Sequence, residues 1–415
     1  MEKRIRSARQ YSYTVIISFA FASFGFFGSL GLLFLLLLVA TVIIFDSKAI
    51  FTKSPSRDVL LLYFGLTTVF FWQLARGMYE TPWVEVSFAV SPALPIAIVG
   101  LLLILTSQVD FYLQRTTISN FASTGILVVY LIYIILQLFP EGHAFTEIAL
   151  ENQRLSLLTG NPIPFSTIVG GLSLMTLLGW HSRNKIGKVN TIVIALCGVY
   201  AATVLSGSRG ATIGFIFVSP IVLYNLSRSY QLSIGYFLLL IIAIATACIL
   251  VQLGALNSAL IERILKGVET FFSNNNLDSS NFIRMNIWEA SWKAILEKPL
   301  FGHGVSMRYS AITPFLPEFM KEMKFTHAHN DILSSGVAGG ILGLISAAVS
   351  LTCGAFYVLA NRCDAEVKCY ALALTGFCLV IASSNTIFFN DSSSSFYAFA
   401  VVLIVIMKKT QKRIE

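Results

Sequence analysis

The stretch THAHND, residues 326–331, sets His327 and His329 two apart with Asn330 and Asp331 close behind, directly before the small apolar run SSGVAGGILG. Imidazole exchanges a proton near neutral pH, so a histidine here can serve as a general base or acid. Helix capping is the plainer reading, and it accounts well for Asn330 or Asp331. It accounts poorly for two histidines, because imidazole is neither a favoured cap nor a lipid anchor. A metal site on His327, His329 and Asp331 is a third reading. The alternate spacing directs them to one face only in an extended chain, and no cysteine or further acid lies nearby.

Two arginines offer a different chemistry. Arg209 stands in VLSGSRGATIGF at the junction of two apolar runs, with Gly207 and Gly210 beside it, where the backbone can turn tightly and approach a ligand. Arg284 stands in FIRMN, near the start of a predicted helix. A guanidinium is a planar, permanently charged fork suited to phosphate, and a helix start adds backbone donors. The competing readings are an Arg209 that snorkels to lipid phosphate and an Arg284 that is an ordinary exposed loop residue.

The elements that carry these residues are membrane helices. A chain of 415 residues with 56% hydrophobic and 12% charged residues and a mean hydropathy of +0.76 lacks the polar exterior of a soluble globule. A net charge of +8 would suggest nucleic acid in a soluble protein, but here the basic residues cluster between apolar spans. Topology explains them, and a nucleic-acid partner is rejected. The six cysteines mostly lie inside apolar runs and read as small hydrophobes rather than a disulfide or zinc framework.

Spans of about 20 apolar residues are expected at 12–28, 30–46, 58–75, 88–106, 117–138, 161–180, 189–206, 210–226, 232–253, 331–359, 367–388 and 394–408. The fold class is therefore all-α integral membrane, with about 12 transmembrane helices. The basic N-terminus MEKRIRSARQ reads as the flank of a retained first helix rather than a cleaved signal.

Twelve spans put both termini on one side. The clusters Lys3 to Arg9, Lys48 to Arg57, Arg183 to Lys188 and Lys408 to Arg413 share that side, against Arg76, Arg154 and Arg209 in the opposite short loops. The skew predicts cytoplasmic termini. The layout is then 1–253 with helices 1 to 9, a long external loop at 254–330, and 331–415 with helices 10 to 12 and a short tail.

The external loop is too short for an independent domain and should lie over the membrane domain. Leu256, Leu260, Ile264, Val268 and Phe271 form one stripe of a first amphipathic helix. A second helix is expected over SSNFIRMNIWEASWKAILEKP, capped by Ser280 and ended by Pro299, with Trp288 and Trp292 suited to the membrane interface. Behind THAHND, the spacings Gly336 to Gly340 and Gly339 to Gly343 predict close packing of transmembrane helices.

Together these residues resemble the O-antigen ligase family of bacterial multi-pass glycosyltransferases. The family signature is His, then Asn, Ser or Gln, nine residues, Gly, two residues, and a small residue or Tyr. His329, Asn330, Gly340 and Gly343 fit it. KPLFGHGVSM resembles the family's approach to the motif, with His303 an unusual addition, and SGSRGA and FIRMNIWEASWKAILEKP resemble its two arginine regions.

The resemblance implies transfer of a polysaccharide from an undecaprenyl pyrophosphate carrier to a sugar hydroxyl of lipid A-core at the periplasmic face of the inner membrane. It implies inversion and no cofactor or metal. By motif, His329 is the candidate general base, and Arg209 and Arg284 the candidate pyrophosphate clamps. Asn330, His327 and Asp391 in FFNDSSSS are accessory candidates, Asp391 against the reading of an ordinary turn aspartate.

The closest rival is an O-antigen polymerase, whose paired loops carry Arg, ten residues, then Gly. Here those glycine positions are Pro220 and Ile295, which favours a ligase. A protein O-oligosaccharyltransferase shares the histidine motif but usually continues into a further soluble segment, which is not expected here. From another class, a transporter or flippase should carry ionisable or broken segments near the bilayer midplane and inverted repeats. The chemistry-bearing residues instead gather at one face, and no internal repeat is evident.

Overall fold

The computed structural model describes residues 2–27, 29–80, 83–109, 111, 113–136, 138, 150–151, 154–159, 161–227, 279–323 and 328–414. Its helices are α1 (Glu2–Phe27), α2 (Ser29–Thr52), α3 (Arg57–Gly77), α4 (Trp83–Val90), α5 (Leu94–Gln108), α6 (Arg115–Leu136) and α7 (Pro162–Thr176). There follow α8 (Lys185–Tyr200), α9 (Arg209–Ser227), α10 (Ser279–Glu297), α11 (Glu318–Lys321), α12 (Asp331–Ala360), α13 (Ala365–Ser384) and α14 (Asp391–Ile414). A two-residue antiparallel ladder joins Leu150–Glu151 to Arg154–Leu155.

Among the described residues nine helical stretches are long and apolar enough to cross a membrane, and the protein is an all-α membrane protein. The expected span at 161–180 is instead the 15-residue α7, closed by a left-handed Gly179. The span at 232–253 and the amphipathic stripe at 256–271 lie outside the described residues.

The bundle is built around α14. Phe396, Tyr397 and Phe399 are fully buried, and the two phenylalanines meet α1 edge-on, Phe21 on Phe399 at 5.4 Å and Phe24 on Phe396 at 5.6 Å. An apolar helix covered on every side belongs in the interior. At one end of the bundle Arg115 joins Asp364 and Glu366, and Lys409 donates to the Thr106 and Ser107 carbonyls that end α5. The other end carries residues 279–323 and is called the loop end below.

Helix α12 is two helices. At Gly340, φ is 62° and ψ is −148°, and the chain reverses so sharply that Ser335 O and the Leu344 side chain lie where Cβ atoms of Gly343 and Gly336 would stand. The glycine run serves close packing on other helices as expected, since Trp72 of α3 lies against Gly339 and Ile295 of α10 against Gly336. It also makes room for the hairpin at 299–304, whose backbone lies against Gly339 and Gly340.

A helix break inside a membrane protein exposes carbonyls and N–H groups that need partners. The hairpin supplies them. His303 N donates to Val337 O at 2.9 Å, Gly304 N to Ala338 O at 3.0 Å, and Ile341 N donates to Pro299 O at 2.7 Å. A Cβ at Gly340 would meet Pro299 O and Leu300 C at 2.5 Å, and its backbone region costs an L-residue about 1–3 kcal/mol before any clash. Gly340→Ala is therefore expected to lower the melting temperature of the purified protein. An unchanged melting curve would mean the break is not required.

Candidate active site

The site is assembled at the loop end, from α10, the start of α12, the start of α9 and the end of α13. Helix α10 lies on the first arm of α12 through a small separate core that includes Ile287, Ala294, Ile295 and Val337, joined by Ile312, Leu316 and Met320 from the following loop. His303, the odd residue of KPLFGHG, is structural: its Nε2 pairs with Ala294 O at 2.8 Å and ties the hairpin to α10. On the other side the loop is held by Glu80, just beyond α3. Glu80 accepts from Val305 N at 2.7 Å, Ser306 N at 3.0 Å and Ser306 Oγ at 2.5 Å. Arg76 Nε reaches Phe301 O at 2.9 Å.

His329 sits at the start of α12 with φ 49°, a left-handed conformation that costs a non-glycine residue energy and persists only where neighbours enforce it. Its neighbours do so. Trp288 Nε1 donates to Ala328 O at 3.0 Å, and Ala328 N donates to Ser334 Oγ at 3.0 Å. Asn330 caps α12, its Oδ1 accepting from Leu333 N at 3.0 Å while its Nδ2 donates to Ser383 O at 2.9 Å. Asp331 Oδ2 accepts from Ile387 N at 2.5 Å and Phe388 N at 3.3 Å.

Ala328, Asn330 and Asp331, on either side of His329, are thus bolted to surrounding elements. Trp288 is half-buried and anchors the motif through its N–H, whereas Trp292 is 51% exposed.

The imidazole of His329 is half-buried. Burial, and then the positive charge of Arg284, push its pKa down to about 4, so at neutral pH it is uncharged and able to accept a proton. Arg284 on α10 is consequently close enough to act on the same space.

Arg209 is the first residue of α9 and also half-buried. It follows a π-helical turn at Ala201–Leu205 and a left-handed Gly207 at φ 59°. Arg154 Nε fixes this turn by donating to Ser206 O at 2.7 Å. The next residue, Gly210, packs on Ser384 and Asn385 at the end of α13, where a Cβ would come within 2.8 Å of Ser384 Oγ. The neighbouring Ser383 is the one that holds Asn330. The structure thus brings Arg209, Arg284, His329 and Asn330 to one locality around the end of α13.

Asp391 begins α14, and its Oδ1 accepts from Ser392 N at 2.8 Å. His327 lies outside the described residues. Among those described, no group of three or more His, Cys, Asp and Glu side chains is gathered that could hold a metal ion. Sequence reasoning passed over Ser334 and the clamp made by Asp331, and saw no anchoring role for Trp288, because each works through backbone groups, which carry no signal of residue type.

The fold and site define a class: a multi-pass membrane protein with a neutral histidine and two arginines set at one end of its bundle. Residues 191–348 match the model of the O-antigen ligase family. The match covers Arg209, Arg284, His329 and Asn330 and stops before Asp391. The chain is also similar to an uncharacterised protein of Haemophilus influenzae, 24% identical over 241 residues. The alignment spans 56% of this chain and 56% of that protein, about half the length of each.

Proposed function

We propose that the protein is an O-antigen ligase that moves a polysaccharide from an undecaprenyl pyrophosphate carrier to a sugar hydroxyl of lipid A-core. The reading is carried by one observation: the neutral, half-buried His329 shares a locality with Arg284 and with the α9 start that bears Arg209.

In this reading His329 takes the proton of the acceptor hydroxyl as its oxygen bonds to the anomeric carbon. The bond from that carbon to the diphosphate breaks, and the diphosphate leaves on the carrier lipid. Arg209 and Arg284 hold the diphosphate, whose charge grows as the bond breaks. Preorganised cations stabilise that growing charge more in the transition state than in the ground state, and two of them fill the role a divalent metal plays elsewhere. Attack opposite the leaving group inverts the anomeric centre. The site faces the periplasm in the inner membrane, with both termini cytoplasmic, in keeping with the basic clusters of the opposite loops.

Lipopolysaccharide profiles of a strain lacking the chain test the reading. Loss of the long-chain ladder, with carrier-linked long chains accumulating and restoration by the wild-type gene, is the expected result. Core bearing a single repeat unit would mean a polymerase, and an unchanged ladder would sink both.

A further inference from the structure

The turn that presents Arg209 is supported by a segment that lies before the family-matched region. The π-helical stretch Ala201–Leu205 runs into Ser206, which is fully buried, and the chain leaves it through the left-handed Gly207. A helix end leaves its last carbonyls without intrahelical donors, and within a membrane protein such groups must find partners elsewhere. Arg154 Nε is the donor to Ser206 O, at 2.7 Å. From Ser206 the hydrogen bonds continue past Arg209: Ser208 N donates to Ser206 Oγ at 3.1 Å, and Thr212 N to Ser208 O at 3.2 Å.

Arg154 is itself held. Its residue pairs with Glu151 in the two-residue ladder. The following Leu155 and Leu157 are buried in one small core with Ala201, Ala202 and Leu205 of the π-helical stretch and Phe165 of α7. Leu157 has φ 47°, and among the described residues only it and His329 are non-glycine residues with positive φ. A leucine stays in that region only where its packing enforces it. The segment 154–157 is thus a fixed brace against the turn, joined to it by two apolar side chains and one guanidinium.

We propose that Arg154 is a positioning residue for Arg209: it pins the Ser206 carbonyl and so fixes the backbone from which the Arg209 side chain extends. The role rests on the ligase reading, in which Arg209 holds the donor diphosphate, while the pin itself does not. Removing the donor leaves a buried carbonyl unpaired, which costs more than the bond contributes while made. The pin needs one N–H, whereas a direct clamp on diphosphate needs the paired N–H groups of the guanidinium fork. Arginine and lysine at position 154 therefore tell the two apart.

Arg154→Met and Arg154→Lys are compared with wild type in full-length protein in lipid nanodiscs, and Arg154→Met is also combined with Arg209→Met. Two measurements are made. One is kcat and KM for the carrier-linked donor. The other is amide hydrogen exchange, followed by peptide mass spectrometry over residues 201–212 and, for comparison, 331–345.

Arg154→Met is expected to lower kcat roughly 10-fold, the loss of one charge-assisted bond, and to quicken exchange over 201–212 by a similar factor with 331–345 unchanged. Arg154→Lys should stay within about threefold of wild type in both measurements, because its ammonium still supplies one donor. In the Arg209→Met background, Arg154→Met should lower kcat by less than about twofold more, since no guanidinium is left to position.

A Lys variant as impaired as Met would overturn the proposal, because that result means a fork on the substrate. So would a full further loss in the Arg209→Met background, which means a role that bypasses Arg209. Exchange unchanged over 201–212, or quickened equally over 331–345, would equally overturn the pin. If the wild-type protein itself transfers no glycan, the ligase reading fails while the exchange comparison of the Met and Lys variants still decides the pin.

Discussion

His329→Ala is expected to abolish attachment of O-antigen to core, a loss of roughly 100-fold to 10,000-fold in turnover, with the protein still present in the membrane. The size follows from the acceptor: a sugar hydroxyl is a weak nucleophile until its proton is taken, and no other imidazole among the described residues stands at this site. Alanine keeps the chain length and removes the proton acceptor. Asn330, Ala328 and Asp331 would still hold the backbone. Full capping of core by the variant, scored on lipopolysaccharide gels, would rule out His329 as the base.

The same residue sets a pH signature. Its pKa lies near 4 rather than the ordinary 6.5, through burial and the Arg284 charge, and the working form of a base is the deprotonated one. Activity measured as kcat/KM reports the free enzyme, so it should hold level as pH falls through 6.5 and decline only toward 4. A midpoint at 6.5 would show an imidazole in ordinary water.

Arg209→Lys is expected to impair transfer although it keeps the charge. An ammonium is a point donor and cannot reproduce the two parallel N–H bonds of a guanidinium to a diphosphate. Losing one charge-assisted bond costs about 1.5–3 kcal/mol, roughly 10-fold to 100-fold in rate. Helix α9 should survive, because Gly210 rather than Arg209 makes the close approach to α13. In vitro transfer with purified protein measures the effect, and normal turnover would remove Arg209 from the clamp.

Much of this architecture was legible in the chain. Hydropathy runs mark the helices because the bilayer demands apolar stretches of about 20 residues, and α3, α6, α9 and α13 fall where those runs fall. The gap expected between the spans at 367–388 and 394–408 is residues 385–390, which separate α13 from α14, and the serines at 392–395 already belong to α14. His329, Asn330, Arg209 and Arg284 stood out because charged or titratable residues beside membrane helices are costly unless used.

Other readings changed in three dimensions. Hydropathy cannot see that α12 breaks, since both arms are apolar and only the backbone at Gly340 turns left-handed. The small-residue spacing that suggested helix packing does meet Trp72 and Ile295 on neighbouring helices, and it receives a hairpin backbone as well. Trp288, whose type suggested a membrane surface, holds Ala328 in place.

The sequence by itself determined that the protein belongs to the bilayer, where its helices run and which side chains can move a proton or hold a phosphate. Those properties reside in residue type and local spacing. The tertiary structure decided how His329 is held in a strained backbone, that Arg284 bears on it, and that Asp331 takes the backbone N–H groups of Ile387 and Phe388. Each of these depends on backbone N–H and carbonyl groups brought together from distant parts of the chain, and every residue type carries those groups alike. Their pairing exists only once the helices are packed.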